Sequence, residues 1–295
     1  MTDILRETDF ETLGKVRKGK VRDIYDLGEQ LLIVATDRLS AFDVVLPTGI
    51  EDKGKVLTKL SLFWFRQMED IIPNHIIETD VDRYPAALRK YGDALRDRSM
   101  LVKKAKVLPV ECVVRGYLAG SGWSEYRKSG TVCGITLPEG LKESSKLEKP
   151  VFTPSTKADE GHDLNISFEE AVKIIGDDYA RKVRDTSIAI YEKARAIGEK
   201  RGIIVADTKF EFGVIEGNVL LIDEVLTPDS SRFWSLKDYA PGKSQDSYDK
   251  QIVRDYLNTL DWPKTYPGPE LPPEVAKKTS ERYKEIYTIL TGEKL

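Results

Sequence analysis

The sequence predicts an α+β protein of two domains that contain antiparallel sheets. Strand-like runs occur in neighbouring pairs joined by short glycine turns, a pattern typical of antiparallel hairpins. Apolar residues recur at helical spacing in segments 55–72 and 178–201. A length of 295 residues fits one large domain or two smaller ones. We expect an N-terminal domain at residues 1–105, which carries a glycine- and lysine-rich hairpin, and a C-terminal domain at residues 106–295.

Composition and charge exclude several classes of protein. The chain is 40% hydrophobic and 32% charged with a net charge of −3, so neutralisation of nucleic-acid phosphates is not expected. No apolar run approaches the roughly 18 residues of a membrane span, and the start of the chain lacks signal-peptide character. Cys112 and Cys133 are expected to be buried free thiols, and His75 and His162 are too few for a zinc site. We therefore expect a cytoplasmic protein without nucleic-acid or membrane partners.

A basic hairpin is predicted near the N-terminus. Strand-like runs at 21–26 and 31–36 flank a turn at Gly28. The segment before them combines glycine, which lets a backbone approach a phosphate closely, with basic side chains. Its members are Gly14, Lys15, Lys18, Gly19, Lys20 and Arg22. It lacks the GxxxxGK[ST] pattern of a P-loop and is closer to the glycine hairpin that covers nucleotide phosphates in kinases. An exposed basic hairpin without a ligand is the alternative interpretation.

The rest of the first domain is expected to supply a polar loop and core elements. DRLSAFD, residues 37–43, follows a strand and is dense in polar groups, although an Asp-Ser turn needs no ligand. The helix predicted at 55–72 ends before Pro73, and its aromatic residues are interpreted as core. The remaining predicted elements are strands at 75–79 and 101–105 and a charged helical stretch at 85–96.

A second candidate phosphate site follows a proline-interrupted strand that resumes at 110–114. Arg115 is expected to leave this strand and to enter a glycine-rich turn at 120–122, which opens a short helix at 123–128. Backbone amides at a helix start, together with Ser121 and Arg115, favour the binding of a phosphate. A glycine turn beside a surface arginine is the alternative.

The middle of the second domain is expected to be irregular before it becomes helical. Residues 138–154 are loop-rich, and the polar segment 154–167 is a long stretch with few groups that could form a core, which is more often functional than not. Ser167 and Glu170 form a capping-box pattern. This pattern predicts the start of a helix that ends at Ile175. A long helix is predicted at 178–201, where Gly202 stops it, and two C-terminal helices are predicted at 248–257 and 273–290.

A second hairpin, centred on a glycine turn at 216–218, organises the C-terminal domain. Side chains alternate along a strand, so Asp207, Lys209 and Glu211 share one face. If the turn is symmetric about its glycine, Glu211 lies directly opposite Asp223.

The acidic face of this hairpin indicates a metal site. Two carboxylates that face each other across a ladder repel unless a cation lies between them. Oxygen-only ligands favour a hard ion such as Mg²⁺, which also binds phosphate oxygens. Lys209 lies between two acids on the same face. The pattern therefore predicts a metal–phosphate site, and a solvated polar face on an amphipathic hairpin is the alternative.

Several segments together resemble the SAICAR synthetase family. LPVECVVRGYLAGSG at 108–122 and IVADTKFEFG at 204–213 are similar to the two signature segments of that family. The other similar segments, in the same order as in the family, are GKVRDIY at 19–25, DRLSAFD at 37–43, FTPSTKADEGHD at 152–163, DEVLTPDSSR at 223–232 and DSYDKQIVRDYL at 246–257. The resemblance covers residues 13–257, essentially the whole chain.

The resemblance implies an ATP-dependent ligase of purine biosynthesis that uses ATP and Mg²⁺. Such an enzyme joins L-aspartate to the carboxylate of carboxylated aminoimidazole ribotide (CAIR) and gives SAICAR, ADP and phosphate. The implied route phosphorylates the CAIR carboxylate before the aspartate amine attacks. The implied fold is an ATP-grasp-like architecture with the nucleotide in the interdomain cleft, as a monomer or small homo-oligomer. Phosphoryl transfer needs positioning and charge neutralisation more than a nucleophilic side chain, which agrees with the shortage of histidine and cysteine.

The resemblance also implies roles for individual residues. The implied ATP-binding residues are Gly19, Lys20, Arg22, Lys104, Val107 and Glu111. The implied CAIR- and aspartate-binding residues are Ser40, Asp43, Arg115, Ser121, Lys157, His162, Asp163 and Arg232. Glu211 and Asp223 would bind Mg²⁺, while Lys209 would neutralise the transferred phosphoryl group with Asp207 nearby. Lys250 would reach the site from the C-terminal helix or remain a surface lysine.

Two other functions fit the same motifs. A small-molecule kinase would use the same glycine hairpin and metal hairpin and would need no aspartate. A nucleotide-binding regulatory module would not turn over substrate and could dispense with Lys209.

Overall fold

The computed structural model describes residues 4–157 and 164–295 of the chain. The fold is α+β with antiparallel sheets, as predicted. Its strands are β1 (Val16–Lys18), β2 (Arg22–Asp26), β3 (Gln30–Ala35), β4 (Ser40–Ala41), β5 (Val44–Val45), β6 (Ile76–Glu78), β7 (Ser99–Lys103), β8 (Lys106–Val107), β9 (Val110–Tyr117), β10 (Thr131–Val132), β11 (Ile135–Thr136), β12 (Lys146–Phe152), β13 (Ser155–Thr156), β14 (Ile203–Ile215), β15 (Asn218–Ile222) and β16 (Ser231–Ser235). Its α-helices are α1 (Lys53–Gln67), α2 (Ala86–Arg89), α3 (Gly92–Leu95), α4 (Gly120–Ser129), α5 (Phe168–Ile175), α6 (Asp177–Glu199), α7 (Gln251–Asn258) and α8 (Pro273–Thr291). Within the described ranges, no helix has the length and apolar character that crossing a membrane requires.

The chain forms two compact units. The first unit comprises Met1–Phe63, His75–Ala105 and Tyr248–Leu295, and the second comprises Trp64–Asn74 and Lys106–Ser247. The division expected after residue 105 coincides with the end of the middle segment of the first unit. The C-terminal residues differ from the expectation, because 248–295 belong to the first unit and not to the second.

The first unit contains a five-stranded sheet in the order β1-β2-β3-β7-β6. The hairpin predicted around Gly28 is present, with Ile24 of β2 opposite Ile33 of β3. Gly28 has a φ of 92°, a left-handed conformation that glycine adopts at little cost. Tyr25 and Leu32 pack in one core cluster with residues of α2 and α3. The predicted charged helical stretch therefore exists as two short helices that cover this part of the sheet.

The two C-terminal helices complete a second core cluster of the first unit. Its buried members are Leu39, Ala41, Leu46, Ile50, Val253, Leu257 and Leu271. These helices are the predicted ones, now bounded as α7 and α8. Apolar residues at helical spacing predict that a helix exists, but they do not say which surface it covers. The packing partner of α7 and α8 was therefore not readable from their own sequence.

The helix predicted at 55–72 is present as α1, although it ends at Gln67. Val56, Leu60 and Trp64 are completely buried. Most of the apolar and aromatic residues of this segment are buried, as expected, whereas Phe63 and Ile71 are only partly buried.

The second unit is organised around the long strand β14. β14 pairs antiparallel with β9 on one side and with β15 and β16 along different parts of its length, and β8 adds a short pairing. β12 and β13 pair with β9. Residues 138–154, expected as loop, therefore include a strand of the sheet, β12.

Strand β9 is longer than the sequence predicts. It continues from Val110 to Tyr117, so Arg115 stays within the sheet and the expectation that it leaves the strand is wrong. Gly116 permits the continuation, because a Cβ at that position would overlap the hydroxyl of Tyr191. That hydroxyl donates to the Val205 carbonyl at 2.7 Å. The glycine thus marks a close approach of helix α6 to the sheet and not the end of a strand.

The capping box before α5 is confirmed. The Ser167 hydroxyl accepts from the Glu170 N–H at 3.2 Å, and the Glu170 carboxylate accepts from the Ser167 N–H at 2.7 Å. Helix α6 follows and ends at Glu199, shortly before Gly202, whose φ is 75°. Both helix boundaries agree with the end signals in the sequence.

Candidate active site

The predicted hairpin is present, but its register differs by one residue from the symmetric arrangement. β14 and β15 are joined by a two-residue turn, Glu216–Gly217, with φ values of 49° and 80°. Such left-handed two-residue turns match the twist of paired strands. In the resulting register Glu211 lies opposite Ile222. Asp223 follows the strand with a φ of 67°, so the expectation that it directly faces Glu211 is wrong.

A lysine held by two buried carboxylates lies on β14. The Lys209 ammonium donates to Glu111 at 2.5 Å and to Glu211 at 3.2 Å. Glu111 projects from the neighbouring strand β9 and is 8% exposed, and Glu211 is 6% exposed. The other oxygen of Glu211 accepts from the ammonium of Lys157. The sheet therefore brings together four charged residues that the sequence assigned to catalysis, metal, ATP and substrate.

The electrostatics of this cluster keep Lys209 positively charged. Burial favours the neutral amine and so acts to lower the pKa of Lys209. The negative charges of Glu211 and Glu111 outweigh burial, and the pKa lies above its ordinary value. Lys209 is consequently a fixed cation and not a proton acceptor near neutral pH.

A row of alternating charges crosses three strands of the same sheet. Asp207 of β14 lies opposite Arg115 of β9 and opposite Arg232 of β16. Its Oδ2 accepts from Arg115 at 3.1 Å and from Arg232 at 2.5 Å. Asp207 and Arg115 are each 4% exposed. The carboxylate thus stabilises two guanidinium groups that would otherwise repel each other in a buried place.

The Arg115 side chain is oriented by further hydrogen bonds. It donates to the Thr153 hydroxyl and to the Ser121 hydroxyl, each at 3.0 Å. Ser121 lies in the first turn of α4, which begins at Gly120 and not at Trp123 as predicted. The family resemblance placed Arg115, Ser121 and Arg232 together as substrate-binding residues. In the structure Arg115 contacts both Ser121 and Asp207. Thr153 was missed, because it lies in a stretch expected to be loop.

Close packing of this arginine pair requires glycine in α4. A Cβ at Gly120, which has a φ of 52°, would overlap the Arg232 guanidinium. A Cβ at Gly122 would lie 3.0 Å from Cδ of Arg115. The glycines predicted to admit a phosphate therefore also admit the two arginine side chains.

The first unit holds the basic segment predicted to cover phosphates. Residues 19–21 form the glycine–lysine loop between β1 and β2, closed by a hydrogen bond from the Gly19 N–H to the carbonyl of Arg22, the first residue of β2, at 2.7 Å. The Lys20 ammonium is ion-paired with the carboxylate of Asp43. The loop thus lies beside a residue that the resemblance assigned to substrate binding. Arg38, which the sequence did not single out, donates to carbonyls of this loop.

The polar segment 37–43 is a tight hairpin and not an open loop. β4 and β5 pair Ser40 with Val45. The turn between them consists of Phe42 and Asp43, with φ values of 51° and 63°. Ser40 is 6% exposed, and Asp43 is held at the tip of the hairpin.

The other candidate residues occupy separate places. Lys104 of the first unit is ion-paired with Asp26 at 2.6 Å. Val107 lies in β8 of the second unit and is 40% exposed. Lys250 immediately precedes α7. The candidates that lie outside the described residues are His162 and Asp163.

The predicted metal ligands, Glu211 and Asp223, could supply only part of the coordination of a Mg²⁺ ion. Within residues 4–157 and 164–295, no three His, Cys, Asp or Glu side chains are grouped closely enough to hold a metal ion. Mg²⁺ commonly takes one or two carboxylates and completes its octahedron with water and phosphate oxygens. Glu211 and Asp223 supply the appropriate oxygen donors for that mode. The carboxylates of Glu211 and Asp207 each already contact two cationic side chains, Lys209 and Lys157 at Glu211 and two guanidinium groups at Asp207, so an ion at either carboxylate would share it with these groups.

Comparisons with known proteins point to one family of enzymes. The sequence profile of the SAICAR synthetase family matches residues 15–269. The phosphoribosylaminoimidazole-succinocarboxamide synthase of Thermodesulfovibrio yellowstonii is 60% identical over 292 residues, which cover 99% of this chain and all of that protein. The enzyme of the same name from Geobacter sulfurreducens is 60% identical over 293 residues, which cover 99% of each.

Solved structures give the same result. The SAICAR synthase from Saccharomyces cerevisiae, complexed with SAICAR, has a TM-score of 0.90 at 45% identity and covers 99% of both chains. A SAICAR synthetase in complex with ADP has a TM-score of 0.70 at 28% identity, covering 95% of this chain and 99% of that one.

The fold and the charged site, taken with these matches, define an ATP-dependent carbon–nitrogen ligase. The enzymes of this class that match the chain over its full length act in purine biosynthesis. The chain belongs to the SAICAR synthetase family. The comparisons do not support a small-molecule kinase or a regulatory module.

Proposed function

We propose that the chain joins L-aspartate to CAIR through an acyl phosphate, with Lys209 as the cation at the transferred phosphoryl group. A carboxylate oxygen of CAIR attacks the γ-phosphorus of ATP, and ADP leaves. The aspartate amine then attacks the acyl carbon, phosphate leaves, and the nitrogen loses a proton. The observation that carries this proposal is the fixed positive charge of Lys209 beside the arginine row in one sheet. Preorganised charge of this kind stabilises developing negative charge without reorganisation.

A covalent thiol mechanism has little support in the structure. Cys112 and Cys133 are both buried. Burial raises the pKa of Cys112 above its ordinary value and that of Cys133 to about 11. Thiolates, and not thiols, are the nucleophiles. Buried thiols of this kind also suit a reducing compartment, and they support a cytoplasmic location.

The arginine row is the proposed seat of an anionic group of CAIR. Arg115 and Arg232 present planar donors that suit phosphate oxygens. Ser121 adds a hydroxyl at the start of α4, where backbone N–H groups favour an anion. Asp207 would set the orientation of both arginines. Lys157, Ser40 and Asp43 are the proposed further contacts of CAIR or aspartate, with Lys250 as an additional candidate.

The glycine–lysine loop is the proposed cover of the ATP phosphates. Gly19, Lys20 and Arg22 supply backbone and cationic groups at its surface, and Lys104, Val107 and Glu111 are the proposed contacts of the rest of the nucleotide. The solved SAICAR synthetase that is 28% identical to this chain was obtained in complex with ADP. That complex supports nucleotide binding by the family. Magnesium would be held by Glu211 and Asp223 and would neutralise phosphate charge there.

Aspartate dependence tests the proposed reaction. The enzyme is incubated with Mg-ATP and CAIR, with and without L-aspartate, while ADP and succinocarboxamide product are measured. We expect ADP and SAICAR to accumulate together, and only when aspartate is present. ADP release at the same rate without aspartate would instead favour a kinase, and absence of turnover under all conditions would remove the proposed function.

The magnesium assignment has a separate test. We expect Glu211→Ala and Asp223→Ala to remove the Mg²⁺-dependent part of nucleotide binding, because each deletes an oxygen donor to a hard ion. The measurement is isothermal titration with ADP in the presence and absence of Mg²⁺. Glu216→Ala, in the nearby exposed turn, is the matched control. Parent-like Mg-ADP binding by both variants contradicts the assignment.

A further inference from the structure

Arg38 is a buried residue that lies against the glycine–lysine loop. Its side chain is 10% exposed. Its guanidinium donates to the Gly19 carbonyl at 3.0 Å and to the Lys20 carbonyl at 3.1 Å. It also donates to the Arg6 carbonyl at 2.5 Å and to the Asp23 carboxylate at 2.8 Å. One planar group therefore holds the N-terminal segment, the loop and β2 in a single geometry.

The carbonyl of Val21, the next residue of the loop, is also held by hydrogen bonds from a neighbouring segment. The Val21 carbonyl accepts from the Thr36 N–H at 3.0 Å and from the Thr36 hydroxyl at 2.9 Å. Three successive loop carbonyls are thus held by Thr36 and Arg38.

The direction of these carbonyls decides the direction of the loop amides. The peptide bonds that join Gly19, Lys20 and Val21 are trans, and in a trans peptide the C=O and N–H groups point in opposite directions. The N–H groups of Lys20 and Val21 therefore point away from Arg38. Neither of them donates a hydrogen bond to another residue in the part of the chain that the structure describes.

The outer side of the loop consequently presents donors to an anion. Successive backbone N–H groups aimed to one side form a concavity that binds phosphate oxygens. The Lys20 ammonium lies on the same loop, and its side chain is 52% exposed. It is ion-paired with Asp43, a contact that a phosphate chain could replace because both groups reach solvent.

We propose that Arg38 is a positioning residue for nucleotide binding. It holds the Gly19 and Lys20 carbonyls so that the N–H groups of Lys20 and Val21 face the phosphate chain of a nucleoside triphosphate. Arg38 itself is covered by the loop and acts through it. This inference rests on the proposed function of the glycine–lysine loop as the cover of the ATP phosphates.

The test compares Arg38→Gln and Arg38→Lys by steady-state kinetics. Arg38→Gln should raise the KM for ATP about tenfold, while kcat and the KM for aspartate change by less than about twofold. Lysine keeps the charge beside Asp23, but its ammonium cannot reproduce the planar fork that reaches both loop carbonyls. Arg38→Lys should therefore give an intermediate KM for ATP. Hydrogen exchange should accelerate in a peptide that covers residues 19–22 and remain unchanged elsewhere.

Arg98→Lys is the matched control. Arg98 is a second buried arginine of the same unit, 5% exposed, and its partner is Asp37 at 3.0 Å. Its replacement should lower stability and leave the KM for ATP unchanged. The inference is overturned if folded Arg38 variants keep the parent KM for ATP, or if Arg98→Lys raises that KM equally. Failure of both Arg38 variants to fold also overturns it, since the role is then structural.

Lys20→Ala separates this inference from the proposed function. If Lys20→Ala raises the KM for ATP and folded Arg38 variants do not, the loop covers phosphate without help from Arg38. If Lys20→Ala leaves the KM for ATP unchanged, the proposed function of the loop fails, and the inference fails with it.

Discussion

Replacement of Lys209 by alanine should lower kcat by about a thousandfold and leave the fold intact. The ammonium is held by Glu111 and Glu211 at 2.5 and 3.2 Å, which places its charge at a defined point of the sheet. The loss should appear in kcat, because the charge that Lys209 neutralises develops during phosphoryl transfer. The measurement is ADP release with saturating Mg-ATP, CAIR and aspartate, with circular dichroism as the check on folding.

Lys193→Ala is the matched control for this variant. Lys193 lies on α6 of the same unit and pairs at 2.5 Å with Asp70, whose side chain is 69% exposed. Its removal should not change kcat, because an exposed ion pair contributes little. A fully active Lys209→Ala enzyme would show that the cation has no part in transfer.

The pH dependence of the reaction follows from the same cluster. The pKa of Lys209 is raised, since the neighbouring carboxylates outweigh the effect of burial. A group with a raised pKa stabilises the fold fully below its unfolded pKa, about 10.4 for lysine, and loses that contribution only above the folded pKa. Neither kcat nor stability should therefore show an ionisation of Lys209 between about pH 6 and pH 9. Lys209→Arg should keep the same flat profile.

Asp207→Ala should produce the largest loss of stability, about 3–5 kcal/mol in the free energy of unfolding. The carboxylate lies between Arg115 and Arg232 in a place where Asp207 and Arg115 are each 4% exposed. Its removal takes away the carboxylate that both guanidinium groups share. The measurement is urea unfolding, in which the midpoint should fall while the slope with denaturant concentration stays constant.

A double variant shows whether the predicted loss of stability comes from repulsion between the two arginines or only from the missing hydrogen bonds of Asp207. Arg232→Leu in the Asp207→Ala background should recover part of the stability, since one of the two neighbouring positive charges is then removed. Asp70→Ala, which breaks an exposed pair with Lys193, is the control and should leave unfolding unchanged. An equal effect of Asp207→Ala and Asp70→Ala would contradict the importance of the buried row.

Much of the fold was predictable because its signals are local. The hairpin around Gly28, the capping box at Ser167 and the helix end at Gly202 each depend on a few neighbouring residues. The register of the β14–β15 hairpin was not predictable from symmetry. The register depends on whether the turn contains two or three residues. Glu216 and Gly217 both adopt the left-handed conformation, which gives a two-residue turn.

The family resemblance, most of the helices and the residue types proposed for the site could be read from the sequence alone, because motif identity and periodicity are properties of adjacent positions. Which of these residues meet depends on the tertiary structure. Glu111 shares Lys209 with Glu211 because β9 pairs with β14. Arg38 reaches the glycine–lysine loop across a separation of about 18 residues. Contacts between segments distant in sequence depend on strand order and burial, and these are set by the packing of the whole chain.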